Sequence, residues 1–102
     1  MSKSLKKVMS GKKRLHLLWS GHVQGVGFRY TAEAVALELE LVGWVQNLPD
    51  DRVEAVCEGG EKDLKLFLQR IAEGPMRQYI RGTQVEWGAA TGEFKEFRVK
   101  FF

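Results

Sequence analysis

The chain has 102 residues, which is enough for one domain with a single modest core. Its 44% hydrophobic and 28% charged residues are ordinary for a globular domain, and no apolar run approaches the roughly 20 residues that a membrane helix needs. The N-terminus lacks the apolar core of a secretory signal, and a single cysteine, Cys57, excludes an internal disulfide. We therefore expect a cytoplasmic domain that does not enter a membrane.

The net charge of +3 comes from the start of the chain. The first 14 residues contain no acidic side chain and six basic ones, which are Lys3, Lys6, Lys7, Lys12, Lys13 and Arg14. The other 88 residues carry 10 basic and 13 acidic side chains, a net charge of −3. A polar, lysine-rich start predicts a disordered basic arm over residues 1–13 and one domain over residues 14–102. The charge of that domain does not favour nucleic acid as a partner.

Five strands and two helices are predicted in chain order. Alternating apolar residues predict strands over 14–20 and 97–101, and a weaker alternation predicts one over 80–87. Helices are predicted from near Phe28 to Leu41 and over 61–73; Gly43 follows the first, where a left-handed residue is often needed, and Gly74-Pro75 ends the second. Residues 43–47 and 52–58 predict a hairpin.

This order of elements, βαββαβ plus a final strand, predicts an α+β fold. Two helices that cover one face of a mostly antiparallel five-stranded sheet form a ferredoxin-like α/β sandwich. That arrangement buries the apolar stripe of each helix against one face of the sheet, so we expect a single core between the two layers.

Three glycines, Gly21, Gly25 and Gly27, lie between the first predicted strand and the first helix, in a segment called the glycine loop here (residues 21–27). Glycine permits a positive φ and has no Cβ to block a ligand, so amides in such a turn can form an anion-binding nest. The helix start adds free N–H groups, and Arg29 adds planar donors that match a phosphoryl group. From these residues alone, a phosphate loop and a plain tight turn both stay open.

Other chemistry has weaker support. A P-loop would need Gly-Lys-Ser/Thr, which is absent, and a dinucleotide loop would need a third glycine where Tyr30 stands. No spacing of His, Cys or carboxylates suggests a metal, and we expect Asp50 and Asp51 to be turn residues. We expect a structural role for His16 on its strand and a surface role for His22, rather than a phosphohistidine.

Two segments closely resemble the two signatures of the acylphosphatase family. The first is Gly21-His22-Val23-Gln24-Gly25-Val26-Gly27-Phe28-Arg29, and the second is Gly43-Trp44-Val45-Gln46-Asn47-Leu48-Pro49-Asp50, with Val53-Glu54 after it. Both have the order and spacing of the family, and the resemblance extends from about residue 14 to residue 102. It implies a small, metal-free hydrolase that splits the carboxyl-phosphate bond of acyl phosphates into a carboxylate and inorganic phosphate.

The resemblance also implies a role for each site residue. Arg29 would bind the phosphoryl oxygens, and Asn47 would hold and orient the attacking water. The glycine loop would cradle the phosphate and supply seven substrate-binding residues, which are Gly21, His22, Val23, Gln24, Gly25, Val26 and Gly27. No metal or other cofactor is implied. We expect the chain to act alone, as a monomer, on a small-molecule acyl phosphate.

The sequence departs from the family at the hairpin turn, where Asp51 replaces a common glycine. Asp tolerates the left-handed conformation at a cost of about 1 kcal/mol or less, so we expect an effect on the turn rather than on chemistry. The segment Met76-Arg77-Gln78-Tyr79 is bulkier than usual. Two other functions stay open: a phosphate-sensing relative without turnover, and a ferredoxin-like nucleic-acid-binding module, although the aromatic-rich RNA-binding pattern is missing.

Overall fold

The computed structural model describes residues 12–101 and has five strands and two helices in the predicted order. The strands are β1 (Lys12–Gly21), β2 (Val42–Asn47), β3 (Val53–Gly60), β4 (Ile80–Ala89) and β5 (Phe97–Lys100). The helices are α1 (Phe28–Glu38) and α2 (Glu61–Glu73), and a 3-10 turn, Arg77–Tyr79, precedes β4. Within these residues, neither helix has the length and apolar character needed to cross a bilayer.

The strands form one sheet in the order β4-β1-β3-β2-β5. Three neighbouring pairs are antiparallel, and β2 and β5 run parallel. Both helices pack on the same face of this sheet. The predicted ferredoxin-like sandwich with a mostly antiparallel five-stranded sheet is confirmed.

The core lies between the helices and the sheet, and alternation along β1 shows why. Successive side chains of a strand point to opposite faces, so Leu15, Leu17 and Trp19 are all buried beneath the helices. The ring centroid of Trp19 lies 4.9 Å from that of Phe28 at the start of α1 and 6.4 Å from that of Phe67 in α2. These contacts hold the first turn of α1 against the centre of the sheet. Among residues 12–101, no helix covers the opposite face, which is called the open face here.

The first strand begins earlier than predicted. Lys12 and Lys13 belong to β1, where they pair with Gly60 and Gly59 of β3, although the sequence assigned both lysines to the basic arm. The reason is that β3 continues to Gly60 and supplies partners that no local pattern indicates. The other residues of the predicted arm, 1–11, lie outside the described part of the chain.

The first helix begins at Phe28, as predicted, but it ends at Glu38 rather than at residue 41. The first residue after it with a positive φ is Glu40, at 57°. Gly43, the residue predicted for this role, also has a positive φ, of 139°. Gly43 lies inside β2, where an added Cβ would come within 1.9 Å of the Val56 carbonyl oxygen. Close approach between β2 and β3 therefore requires this glycine.

A buried carboxylate holds the connection between β4 and β5. These strands lie at opposite edges of the sheet, so the chain between them must pass the three strands in the middle. Glu58 of the central strand β3 accepts hydrogen bonds from the N–H groups of Thr91 (2.9 Å) and Gly92 (3.0 Å). It also accepts bonds from the Thr91 hydroxyl (2.9 Å) and from Arg14 (3.2 Å).

These bonds determine the charge state of Glu58. Burial by itself would raise the pKa of its carboxyl group, but the hydrogen bonds from Thr91, Gly92 and Arg14 favour the ionised form and lower the pKa below its usual value. Glu58 is therefore an ionised anchor for the middle of the connection, which leads to β5.

We expect Glu58→Gln to lower the free energy of unfolding at pH 7 by about 2 kcal/mol, because an amide cannot accept all of these bonds. The folded-state pKa of Glu58 is lowered, so its stabilisation is present above the ordinary carboxyl pKa of about 4.5 and is lost as the pH falls through the folded value. The difference between the variant and the wild type should therefore shrink as the pH falls below 4.5. Urea unfolding followed by circular dichroism measures it.

Glu86→Gln is the matched control, since Glu86 is an exposed carboxylate of β4. It should change the unfolding free energy by no more than about 0.5 kcal/mol. If the loss in Glu58→Gln stayed the same at every pH, the ionised carboxylate would not be the stabilising species.

Candidate active site

The glycine loop is anchored at its first residue. Gly21 has a φ of 123°, and a Cβ there would come within 2.3 Å of the Tyr79 carbonyl oxygen. The same oxygen accepts a 2.9 Å hydrogen bond from the N–H of His22. Only glycine fits this approach, so the 3-10 turn before β4 fixes where the loop leaves the sheet.

The two later glycines serve the backbone conformation. Gly25 and Gly27 have φ values of 77° and 82°, and an added Cβ at either position would meet nothing within 4 Å. Positive φ, and not lack of space, therefore requires glycine here. Left-handed residues next to ordinary ones can turn successive N–H groups toward one point, which is the geometry of an anion-binding nest.

The helix start beside the loop is open to an anion. Gly27 caps α1 with no side-chain hydrogen bond, and the first turn of α1 contains no acidic residue. The first N–H groups of a helix have no partner within it, and they form the positive end of its dipole. In α2, by contrast, Glu61 and Asp63 occupy the first turn and offset the dipole. The N-terminus of α1 therefore has the electrostatics of a phosphate site.

Three side chains of the glycine loop contact other parts of the protein. Val23 is 1% exposed and belongs to the core. His22 is exposed, with its ring centroid 6.1 Å from that of Tyr79. Gln24 donates to carbonyl groups of the β2–β3 hairpin. The loop can thus offer a ligand its backbone amides, while these three side chains contact protein.

Arg29 lies in the first turn of α1, directly after the glycine loop. Its guanidinium donates a 3.3 Å hydrogen bond to the Lys100 carbonyl and lies 4.9 Å from the centroid of the Phe101 ring. These contacts come from the end of β5, and no pattern in the sequence indicated them. They restrict the rotamers of a long side chain, which reduces the entropy lost when it binds an anion.

Asn47 is the last residue of β2 and lies on the helix-covered face, opposite Val53 of β3. The turn that follows is closed by a 2.8 Å hydrogen bond from the Leu48 N–H to the Arg52 carbonyl. Asp51 has a φ of 74°, so it adopts the left-handed conformation in the position where the family commonly has glycine. The replacement leaves the hairpin closed behind Asn47.

Asp50 supports the same turn through Arg52. The Arg52 N–H donates to one carboxylate oxygen (3.2 Å) and the guanidinium to the other (2.9 Å). The bond from the Arg52 backbone, followed by those from its side chain, lowers the pKa of Asp50. The predicted turn role of Asp50 agrees with these contacts.

The glycine loop and the hairpin meet through Gln24. Its Nε2 donates to the Leu48 carbonyl (2.7 Å) and to the Arg52 carbonyl (2.9 Å). Leu48 directly follows Asn47, so these bonds bring the segment that carries Asn47 to the loop beside Arg29. The sequence placed these residues in two separate motifs, and the tertiary structure brings the motifs together.

The open face has different chemistry. His16 lies there, with Nε2 2.7 Å from a carboxylate oxygen of Glu54, and Gln46 donates to the other oxygen at 2.8 Å. Burial would raise the pKa of Glu54, but the bonds from His16 and Gln46 outweigh it and lower the pKa. This network agrees with the structural role predicted for His16.

RNA-binding sheets of this architecture stack bases on aromatic side chains of an exposed face. Here the central strands β1 and β3 present no Phe, Tyr or Trp there; their open-face residues include His16, Leu18, Glu54, Val56 and Glu58. Trp44 of β2 is covered by the Lys100 ammonium, 4.2 Å from its ring centroid. In residues 12–101, no group of three His, Cys, Asp or Glu side chains could hold a metal ion.

Known proteins are similar to this chain in both sequence and fold. A sequence model of the family described as Acylphosphatase matches residues 15–99. The acylphosphatase of Methylococcus capsulatus is 47% identical over 87 residues, which cover 85% of this chain and 95% of that protein. The acylphosphatase of Thermus thermophilus is 46% identical over 86 residues, with coverages of 84% and 97%.

A solved structure of an acylphosphatase is also similar to this chain. The crystal structure of acylphosphatase from Bacillus subtilis superposes with a TM-score of 0.82 at 30% identity and covers 87% of this chain and 99% of that one. The residues that the family model matches, 15–99, include the glycine loop and the hairpin. The chain belongs to the acylphosphatase family.

Proposed function

We propose that the chain is an acylphosphatase, which hydrolyses the carboxyl-phosphate bond of acyl phosphates without a metal ion. In this proposal Arg29 and the amides of the glycine loop bind the phosphoryl group, and Asn47 orients the attacking water. The observation that carries it is the junction of two elements: Gln24 of the loop lies 2.7 Å from the carbonyl of Leu48, the residue after Asn47. The glycine loop and the segment that carries Asn47 are thus in direct contact.

Phosphoryl binding is supported by the charge around the loop. The phosphoryl oxygens would accept hydrogen bonds from loop amides and from the first turn of α1, which no acidic side chain offsets. Arg29 would add a bidentate pair of donors. In phosphoryl transfer the transition state spreads negative charge over these oxygens, so donors held in advance stabilise it more than mobile ones would.

The reaction needs no general acid, and the protein has only to orient the attacking water. The water oxygen forms a bond to phosphorus while the bond from phosphorus to the acyl oxygen breaks, giving a carboxylate and dihydrogen phosphate. The leaving carboxylate has a conjugate-acid pKa of about 4, so no general acid has to protonate it. The Asn47 carboxamide would accept one proton of the water in a hydrogen bond and direct a lone pair to phosphorus.

We also propose that the chain acts as a monomer in the cytoplasm. The monomer is supported by the site itself, because the glycine loop, α1, the hairpin and the end of β5 all come from one chain. A cytoplasmic location is supported by cysteine usage: Cys57 is buried and unpaired, and burial raises the pKa of its thiol.

We expect Arg29→Ala to lower kcat/KM for benzoyl phosphate by about 10³-fold, which is about 4 kcal/mol of transition-state stabilisation. The loss follows because the variant removes both the charge and the bidentate donors. Competitive inhibition by inorganic phosphate should weaken in parallel. Steady-state assays of both quantities measure the effect.

Arg98→Ala is the control for charge, since Arg98 lies on the open face and pairs with Glu96. It should retain wild-type kinetics within about twofold, as expected for a surface substitution away from the site. Full activity in Arg29→Ala would remove Arg29 from the mechanism.

We expect Asn47→Ala to lower kcat by about 10²-fold to 10³-fold and to leave the inhibition constant of phosphate almost unchanged. The reason is that Asn47 is assigned to the water and not to the phosphoryl group. Gln46→Ala is the control: it removes a neighbouring carboxamide that bonds Glu54 on the open face. Equal kcat losses in the two variants would contradict the water-orienting role.

The reaction itself is tested with acetyl phosphate and benzoyl phosphate in excess EDTA. We expect phosphate release at the same rate with and without the chelator. Phosphate binding without turnover would instead indicate a phosphate-sensing relative, and a rate that EDTA abolishes would contradict the metal-independent mechanism.

A further inference from the structure

We propose that Gln24 is a positioning residue for hydrolysis: its carboxamide sets the place of Asn47 relative to the phosphate held by the glycine loop. This inference rests on the proposed function. It assigns Gln24 no contact with the substrate, although Gln24 lies within the loop to which the family resemblance assigns substrate binding.

The geometry of the carboxamide carries the proposal. Gln24 Nε2 has two protons, and two carbonyl oxygens lie within reach, those of Leu48 (2.7 Å) and Arg52 (2.9 Å). With both protons directed to these oxygens, none remains for a phosphoryl oxygen. The remaining polar atom, the carboxamide oxygen, is an acceptor and would repel a phosphate. The side chain is thus committed to the hairpin.

The two acceptors are the residues that close the hairpin. The Leu48 N–H donates to the Arg52 carbonyl (2.8 Å), and the Asp51 N–H to the Leu48 carbonyl (3.3 Å). Gln24 therefore binds both sides of the turn at its base. Because Leu48 directly follows Asn47, a shift of this base moves the Asn47 backbone with it.

The other end of the side chain is held by the core. Val23, the residue before Gln24, is buried beneath the helices, and the residue after it, Gly25, has a left-handed φ. The Gln24 backbone is thus fixed in the loop whose amides face the phosphate. The Gln24 side chain is therefore held by the loop backbone at one end and by two hydrogen bonds at the other. It fixes the distance between the glycine loop and the hairpin.

The test uses Gln24→Met, which keeps the length of the side chain and removes both donors. We expect kcat for benzoyl phosphate to fall by about 10-fold to 100-fold, because a misplaced water reacts slowly. We expect the competitive inhibition constant of inorganic phosphate to stay within about twofold of the wild type, since Arg29 and the loop amides remain. Gln84→Met, at an exposed position of β4, is the matched control and should keep both values.

A double-mutant cycle identifies the partner. If Gln24 acts through Asn47, Gln24→Met should change kcat by less than about twofold when Asn47→Ala is already present. A general loss of structure would instead lower kcat by the same factor in both backgrounds, and that result would overturn the proposal. So would a higher phosphate inhibition constant with kcat unchanged, because it would assign Gln24 to the cradle.

A second variant distinguishes the loss of the two hydrogen bonds from a folding defect. Gln24→Asn retains the donors on a side chain one methylene shorter, so it should give a smaller loss of kcat than Gln24→Met, again with phosphate inhibition unchanged. Circular dichroism shows whether each variant is folded. Absence of turnover in the wild type would contradict the proposed function, whereas wild-type turnover with normal kcat in both Gln24 variants would contradict only this inference.

Discussion

The conformation of the glycine loop, in which three of seven residues are glycine, is the constraint on which the site depends. The three glycines allow the backbone turns that an anion nest requires, but they also increase the entropy lost when the loop is ordered, and they supply no side chain to pack. Contacts from outside must therefore hold the loop. Val23 enters the core, the N–H of His22 bonds the Tyr79 carbonyl, and Gln24 bonds the base of the hairpin.

Arg29 depends on a different part of the fold. Its guanidinium contacts the Lys100 carbonyl and the Phe101 ring, so its position follows from where β5 ends. β5 is an edge strand, and the chain reaches it through a connection that Glu58 holds at its middle. The buried carboxylate is thus linked to the site through the strand that the connection leads to.

Periodicity and turn residues predicted every helix and strand, because these signals are local to each element. The predictions were wrong where a strand that is distant in sequence determines the structure. β1 extends to Lys12 because β3 has partners for it, and Gly43 is a glycine because Val56 of the neighbouring strand comes too close for a Cβ. The same rule applies to the candidate site: the family resemblance of the two motifs carries the predictions for Arg29 and Asn47, whereas the partners of Gln24 could not be predicted from the sequence.

The sequence by itself determined the order of elements, the left-handed turns of the glycine loop and the family, since each depends on residue types at fixed spacing along the chain. Only the tertiary structure decided what the loop residues do. It turns Val23 into the core and Gln24 to the hairpin, and it pairs the His22 N–H with the Tyr79 carbonyl. The physical reason is that the partners of Gln24 lie 24 and 28 residues away along the chain. The packing of α1 on the sheet that contains β2 brings them together, and no local preference does so.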